Sequence, residues 1–257
     1  MSLGQALNVL NRVACAALAC AALAFLPASA EPFSAARASD DLDELLRPWI
    51  TQNLRYERGR DGEDRLMIRR APVRASIQAE DPAVRALARA TIANFAGAFG
   101  IEHTWTTTNV NLVVVVTDHI TIDGKPNKDL LRRLRVPEQI VDIIGTSGST
   151  WAKGCGLYDG RDDAGRLALG LVFADTAGET EFVRKCIVTG IIFGFGLRLQ
   201  GQFALDRPHD YVQFLLLARA IAQCESALAE SGRDARAPAR DGELACIQHK
   251  IKAKLTE

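Results

Sequence analysis

No two histidines stand one helical turn apart in this chain, no cysteine pair has CxxC spacing, and no GxxxxGK loop occurs. These absences remove the usual signatures of a zinc-binding helix, a cysteine knuckle and a phosphate cradle. The four histidines, His103, His119, His209 and His249, are widely separated. Gly154, Gly156 and Gly160 lack the spacing of a dinucleotide fingerprint. At 145–149 the chain offers Gly145, Ser147 and Gly148, but Ser149 stands where a serine-hydrolase elbow keeps its last glycine, so a loop is expected there. No internal repeat or low-complexity tract is present. Neither sign of charge is in surplus, with 31 basic and 31 acidic residues, so there is no electrostatic footprint for nucleic acid or anionic lipid.

A membrane-spanning run is missing as well. The apolar stretch Val13–Leu26 is fourteen residues long, or ~21 Å as helix against the roughly 30 Å hydrocarbon core. Preceded by Arg12 and followed by Ala28, Ser29 and Ala30, it reads as a secretory signal peptide cleaved after Ala30. The alternative is an uncleaved anchor. Cys20 follows Ala17-Leu18-Ala19, a poor lipidation context. Cleavage leaves 227 residues with 30 basic against 31 acidic groups.

Four cysteines remain: Cys155, Cys186, Cys224 and Cys246. An even number in an exported chain suggests disulfides, and four cysteines allow three connectivities. Sequence order favours Cys155–Cys186 and Cys224–Cys246, with a four-cysteine zinc site as the rival. Seven arginines, Arg55, Arg58, Arg60, Arg65, Arg69, Arg70 and Arg74, fall within twenty residues. Glu57, Asp61, Glu63 and Asp64 are interleaved with them, which suggests a solvated, self-paired surface.

Residues 31–40 read as a flexible lead-in. A helix is expected over 41–56, interrupted near Pro48, with Leu42, Leu45, Leu46, Trp49 and Ile50 on its apolar side. A charged turn at 59–64 precedes strands on either side of Pro72. Asp81-Pro82 opens the clearest helix, apolar at Val84, Leu87, Ala88, Thr91, Ile92, Phe95 and Phe99 and stopped at Gly100. Residues 109–117 form a strand whose valines are apolar on both faces, so it belongs at the centre of a sheet. Two short helices, at 127–135 and 137–144, precede a glycine-rich turn at Cys155. A buried strand at 167–174 leads into a long helix from Glu179 to Leu197. Another helix runs from Pro208 to Glu230. The expected domains are a signal peptide (1–30), the lead-in (31–40), one α+β domain (41–231), a linker (232–241) and a C-terminal helix (242–257). The α+β class, a twisted mixed sheet packed with helices, follows from the order of elements.

Residues 186–197, CysIleValThrGlyIleIlePheGlyPheGlyLeu, carry no charged side chain and no histidine. The GxxxG step at Gly190 and Gly194, with Gly196 after it, costs a helix roughly 2–3 kcal/mol relative to alanine. Close packing against a strand or helix is the expected compensation.

The order of these elements and the PheGlyLeu end of this helix resemble the zincin metallopeptidase core. More narrowly, the stretch from about Val73 to Asp210 is similar to the exported bacterial proteins grouped as the domain of unknown function 2927 family. The resemblance implies a zincin-like fold. A working zincin reads HisGluxxHisxxGly on this helix. With Gly196 in the place of the glycine, Thr189, Gly190 and Phe193 stand where His, Glu and His would be, and all three positions are vacant. The resemblance thus argues against peptidase chemistry.

The sequence therefore leads to an exported, disulfide-bonded, zincin-like protein acting as a binding or structural element of the periplasm or envelope. No cofactor, metal or nucleic acid is expected, and no stable membrane span once the leader is removed. A cleft beside Thr189, Phe193 and His209 is the expected place for a peptide or an envelope-protein ligand. The competing expectations are a hydrolase using His209, Asp206, Asp210 or Glu181, and a membrane-anchored subunit of an envelope complex.

Overall fold

A computed structural model of the chain describes residues 39–58, 64–118, 120–122, 125–133, 138, 141–142, 154–162, 166–198, 208–230 and 240–256. The signal-peptide segment, the 59–63 part of the charged turn and the Ser147 loop lie outside the described residues, as does most of the expected second short helix.

The centre of the fold is a five-stranded mixed sheet in the order β4 (His103–Trp105), β3 (Val73–Ala79), β5 (Leu112–Thr117), β9 (Leu167–Asp175), β8 (Cys155–Arg161). The first four strands run parallel and β8 pairs antiparallel to β9. The valine run of β5 is central, as its two-sided apolar character requires. Two short hairpins, β1 (Tyr56–Arg58) with β2 (Asp64–Leu66) and β6 (Thr121–Ile122) with β7 (Lys125–Pro126), lie outside this sheet.

Among the described residues there are six helices: α1 (Ser39–Asn53), α2 (Pro82–Phe99), α3 (Lys128–Arg133), α4 (Thr180–Gly194), α5 (Pro208–Glu230) and α6 (Arg240–Thr256). Strand periodicity sends Val73, Ala75, Leu112, Val114, Val116, Val172 and Ala174 to one face. All are buried there, with α2 and α4 lying against this side of the sheet. The opposite face carries Val115, Leu171 and Phe173, packed with Ile120, Leu131 and Val141. Behind the first face, α5 packs on α2, α6 on α5, and α1 on α6.

Local chemistry accounts for α2 in full. Asp81 Oδ1 accepts from the Ala83 amide at 2.8 Å, Pro82 fills the first helical position, and Gly100 closes the helix at φ 67°. Other elements depart from expectation. Pro48 does not interrupt α1: its ring sits on the exposed side, while Leu46 and Ile50 on the buried side hold the helix through it. Leu45, expected on the apolar side, is 54% exposed. Cys155 begins an edge strand rather than lying in a turn; pairing with β9 overrides the weak strand propensity of its two glycines. The helix expected to reach Leu197 ends at Gly194, and α6 begins at Arg240, inside the expected linker.

Both disulfides pair as sequence order suggested, Cys155 with Cys186 and Cys224 with Cys246. The first ties the edge strand to α4, and the second ties α5 to α6. Disulfides of this kind fit an oxidising compartment. No helix among the described residues is long and apolar enough to cross a membrane.

Candidate functional site around helix α4

Helix α4 starts after Glu179, with Glu181 in its first turn where the helix dipole favours a negative charge. Its interior is apolar, and Cys186, Ile187, Gly190, Ile191 and Ile192 are buried. Gly190 faces the sheet: a Cβ there would lie 2.6 Å from Leu157 Cδ2 and 2.8 Å from Val172 Cγ2. One turn on, a Cβ at Gly194 would lie 2.8 Å from Leu112 Cδ1. On the strand beneath, a Cβ at Gly170 would come 3.1 Å from Gly194 Cα. Glycine meets glycine along this seam, which is the close packing the GxxxG step called for. Past the helix, Gly196 turns the chain at φ 96°, hard against the Met67 carbonyl and Ile68.

Three chain segments meet at this end of α4. Leu197 bridges to Leu54, and the Arg198 amide donates to the Asn53 carbonyl at 2.8 Å. The Arg69 amide donates to the Phe195 carbonyl at 3.0 Å. The Arg69 side chain is 1% exposed, and its Nε donates to the Gly194 carbonyl at 2.9 Å. A cation at a helix C-terminus interacts favourably with the terminal carbonyls. Burial, with help from nearby Arg74 and against the pull of Asp159, brings the Arg69 pKa down to about 10. The group stays charged at neutral pH. Its Nη2 has no hydrogen-bond partner among the described residues.

Thr189 and Phe193, one turn apart, lie on the stripe beside the glycine seam. Thr189 is 4% exposed, and its Oγ1 is buried without a hydrogen-bond partner among the described residues. Phe193 is half-buried, with the Arg55 guanidinium carbon 4.5 Å above its ring centroid. Arg55 Nη2 also pairs with Asp159 Oδ2 on β8 at 2.7 Å, both side chains being shielded at 14% and 16% exposure. Asp159 shares its face of β8 with Cys155 and Leu157.

Of the expected cleft residues, Thr189 and Phe193 share one stripe of α4, the first buried and the second half-buried beneath Arg55. His209 occupies the second position of α5, but its side chain lies outside the described residues, as does Asp206. Asp210 stands in the first turn of α5, and Glu181 is an exposed partner of Lys185. Among the described residues no group of three or more His, Cys, Asp or Glu could hold a metal ion. An open groove of ≈ 680 Å³ lies elsewhere, between α1 and α6, lined by Asp43, Arg47, Thr51 and Gln248 among others.

The residues sequence reasoning missed are Arg55, Arg69 and Asp159. Arg55 and Arg69 belong to the arginine-rich stretch that was expected to be solvated and self-paired. Their real partners are remote in sequence: Asp159 for Arg55 and a helix end for Arg69, while Arg70 pairs with Glu225. The one hint in the sequence is that Arg69 directly follows the apolar run Leu66–Ile68.

A second buried acid sits on α6. Glu243 is 8% exposed and accepts from the Tyr56 hydroxyl at 3.2 Å. Burial raises its pKa, opposed by the Tyr56 hydrogen bond, assisted by Glu225 and opposed by Arg70. Because the folded pKa exceeds the unfolded one, the folded state binds more protons at pH values just above 4.5. The stabilising contribution is complete below the unfolded pKa and is lost as pH rises through the folded value. The thermal midpoint of Glu243→Gln minus that of the natural chain should therefore grow as pH rises from 4.5 to 7. A difference that is flat with pH would refute this. Asp43, whose pKa is lowered by Lys252 and Gln248 on α6, and Glu138, whose pKa is lowered by Arg132 and Lys128 on α3, titrate alike in both proteins and cancel.

No family model matches the chain, and no curated protein or solved structure matches it either.

Proposed function

We propose that this chain is an exported protein of the periplasm or cell envelope, built on a zincin-like core without peptidase chemistry. Its role is binding or structural, with a peptide or an envelope protein as partner. The order on which the resemblance rests supports the fold: β3, α2, β5, an excursion, β9, then the buried helix α4. Gly196 supports the placement of the motif, since its φ of 96° and its tight surroundings suit only glycine there.

A zincin-like core implies zinc, and the residues at those positions do not fit it. Thr189 offers a buried hydroxyl, Gly190 offers no side chain, and Phe193 offers an apolar ring. The observation that carries the reading is the packing at Gly190. Where a zincin keeps the carboxylate that activates water, Leu157 and Val172 fill the space a side chain would need. Helix α4 then serves as core, and function falls to the outer surface. The two disulfides and the N-terminal leader support export.

Elemental analysis of protein purified without chelator tests the metal-free reading. Zinc well below one per chain is expected, and one stoichiometric zinc per chain would overturn it. Intact mass tests export: the expected mature chain begins at Glu31, and a retained leader would point to an anchor instead.

A further inference from the structure

The two disulfides meet solvent differently. Cys155 and Cys186 are both fully buried, with the Cys186 sulfur 3.3 Å from the Phe173 carbonyl. Cys224 is buried on α5, but Cys246 is partly exposed on α6. We infer, independently of the zincin-like reading, that Cys224–Cys246 is a thiol–disulfide exchange site, entered by an external dithiol at Cys246 and flanked there by His249 and Lys250. Cys155–Cys186 is a permanent cross-link.

Exchange requires a thiolate to reach a disulfide sulfur, so a bond shut in on both sides reacts only when the fold opens. Of the four cysteines Cys246 alone meets solvent. Its surroundings favour the open form. His249 and Lys250 follow Cys246 by three and four residues, so they share its face of α6, and helical side chains lean back toward the N-terminus. A cationic neighbour stabilises thiolate over thiol, which favours the reduced pair. The nearby acids are engaged elsewhere: Glu225 pairs with Arg70, and Glu243 accepts from the Tyr56 hydroxyl. The helix also stays in place without the bond. Leu244, Ile247 and Ile251 are buried, and α6 is fastened to Asp43 on α1 by Lys252 at 2.7 Å and Gln248 at 3.0 Å. Opening therefore exposes a thiol without releasing α6.

The reaction is a two-electron reduction by the dithiol. A reagent thiolate attacks the Cys246 sulfur, the S–S bond breaks, and Cys224 leaves and takes up a proton. The second reagent thiol then attacks the mixed disulfide and frees Cys246. The reagent ends as a disulfide, its two thiol protons having passed to Cys224 and to Cys246 or solvent.

The test uses the mature oxidised chain and dithiothreitol at neutral pH without denaturant. Samples taken at intervals are quenched into denaturant with iodoacetamide, alkylated cysteines are located by peptide mass, and near-UV circular dichroism is followed in parallel. Cys224 and Cys246 should be labelled at least about tenfold faster than Cys155 and Cys186, with the folded spectrum retained. Labelling of all four at one rate, earlier labelling of Cys155 and Cys186, or labelling that keeps pace with loss of the folded spectrum would overturn the inference. The flanking cations are tested by combining His249→Ala with Lys250→Ala. At a fixed ratio of reduced to oxidised dithiothreitol, the reduced-to-oxidised ratio of Cys224–Cys246 should fall about threefold or more in this variant. An unchanged ratio would overturn the assignment of His249 and Lys250.

Discussion

Gly196→Ala is expected to destabilise the fold by about 3–5 kcal/mol, more than any other alanine substitution on the surface of α4 or its exit turn. Two independent costs add at this position. The backbone has φ 96°, where an L side chain is strained by roughly 1–3 kcal/mol. The new Cβ would also meet the Met67 carbonyl and lie 2.7 Å from Ile68 Cα. Both obstacles are backbone, held by the Met67 amide donating to the Arg55 carbonyl at 2.7 Å and the Arg69 amide donating to the Phe195 carbonyl at 3.0 Å. Relief would require moving the segment that carries Arg69 away from the helix end it caps. Gly97→Ala is the control. It lies within α2, nothing stands within 4 Å of its Cβ, and helix propensity predicts a gain of up to about 1 kcal/mol. Denaturant unfolding at pH 7 measures both; a Gly196→Ala protein within about 1 kcal/mol of the natural chain would refute the account.

The second large effect concerns the disulfides. Replacing Cys155 and Cys186 together by alanine is expected to cost about 3–5 kcal/mol, and replacing Cys224 and Cys246 about 2–4. The sequence separations, 31 and 22, differ too little for loop-closure entropy to rank them: each gives roughly 3–4 kcal/mol. Position ranks them instead. Cys155 and Cys186 are fully buried and join the edge strand to the helix across the sheet face. Strand β8 has one paired neighbour and two glycines, so the cross-link compensates for weak local support. Cys224 is buried but Cys246 is partly exposed, and α6 keeps Leu244, Ile247 and Ile251 in the core without the bond. Thermal unfolding of the two double-alanine proteins decides the ranking, and a smaller cost for the Cys155–Cys186 pair would reverse it.

What could be read from the chain was governed by how local the determining physics is. Helix α2 is written in adjacent residues, from Asp81 and Pro82 to Gly100, so its limits were legible. The valine run of β5 announced a two-sided burial that only a central strand provides. Disulfide order followed from proximity along the chain. Strand β8 was not legible, because Cys155–Arg161 has poor intrinsic strand character and becomes a strand by pairing with β9. Pro48 misled for the opposite reason: a strong local breaker is overridden by packing of Leu46 and Ile50. At the candidate site, the vacancy at Thr189, Gly190 and Phe193 could be seen in the residues themselves. The surroundings of Phe193 could not, since Arg55 and Asp159 are brought together only by the way the segments after α1 and α4 cross.

The glycine seam also sets limits on motion. Gly190 is keyed over Leu157 and Val172, and Gly194 over Gly170 and Leu112. Sliding α4 by one residue, about 1.5 Å along its axis, would drive Ile191 or Thr189 into a gap that admits no side chain at all. Such a contact is a ratchet tooth rather than a greased surface, and the helix has no neighbouring register to visit. A signal that travels through this protein by rearrangement must therefore bypass the α4–sheet layer. It is left to the helices behind that layer, where α5 and α6 are held together by Cys224–Cys246 and α1 rests on α6 through side chains alone.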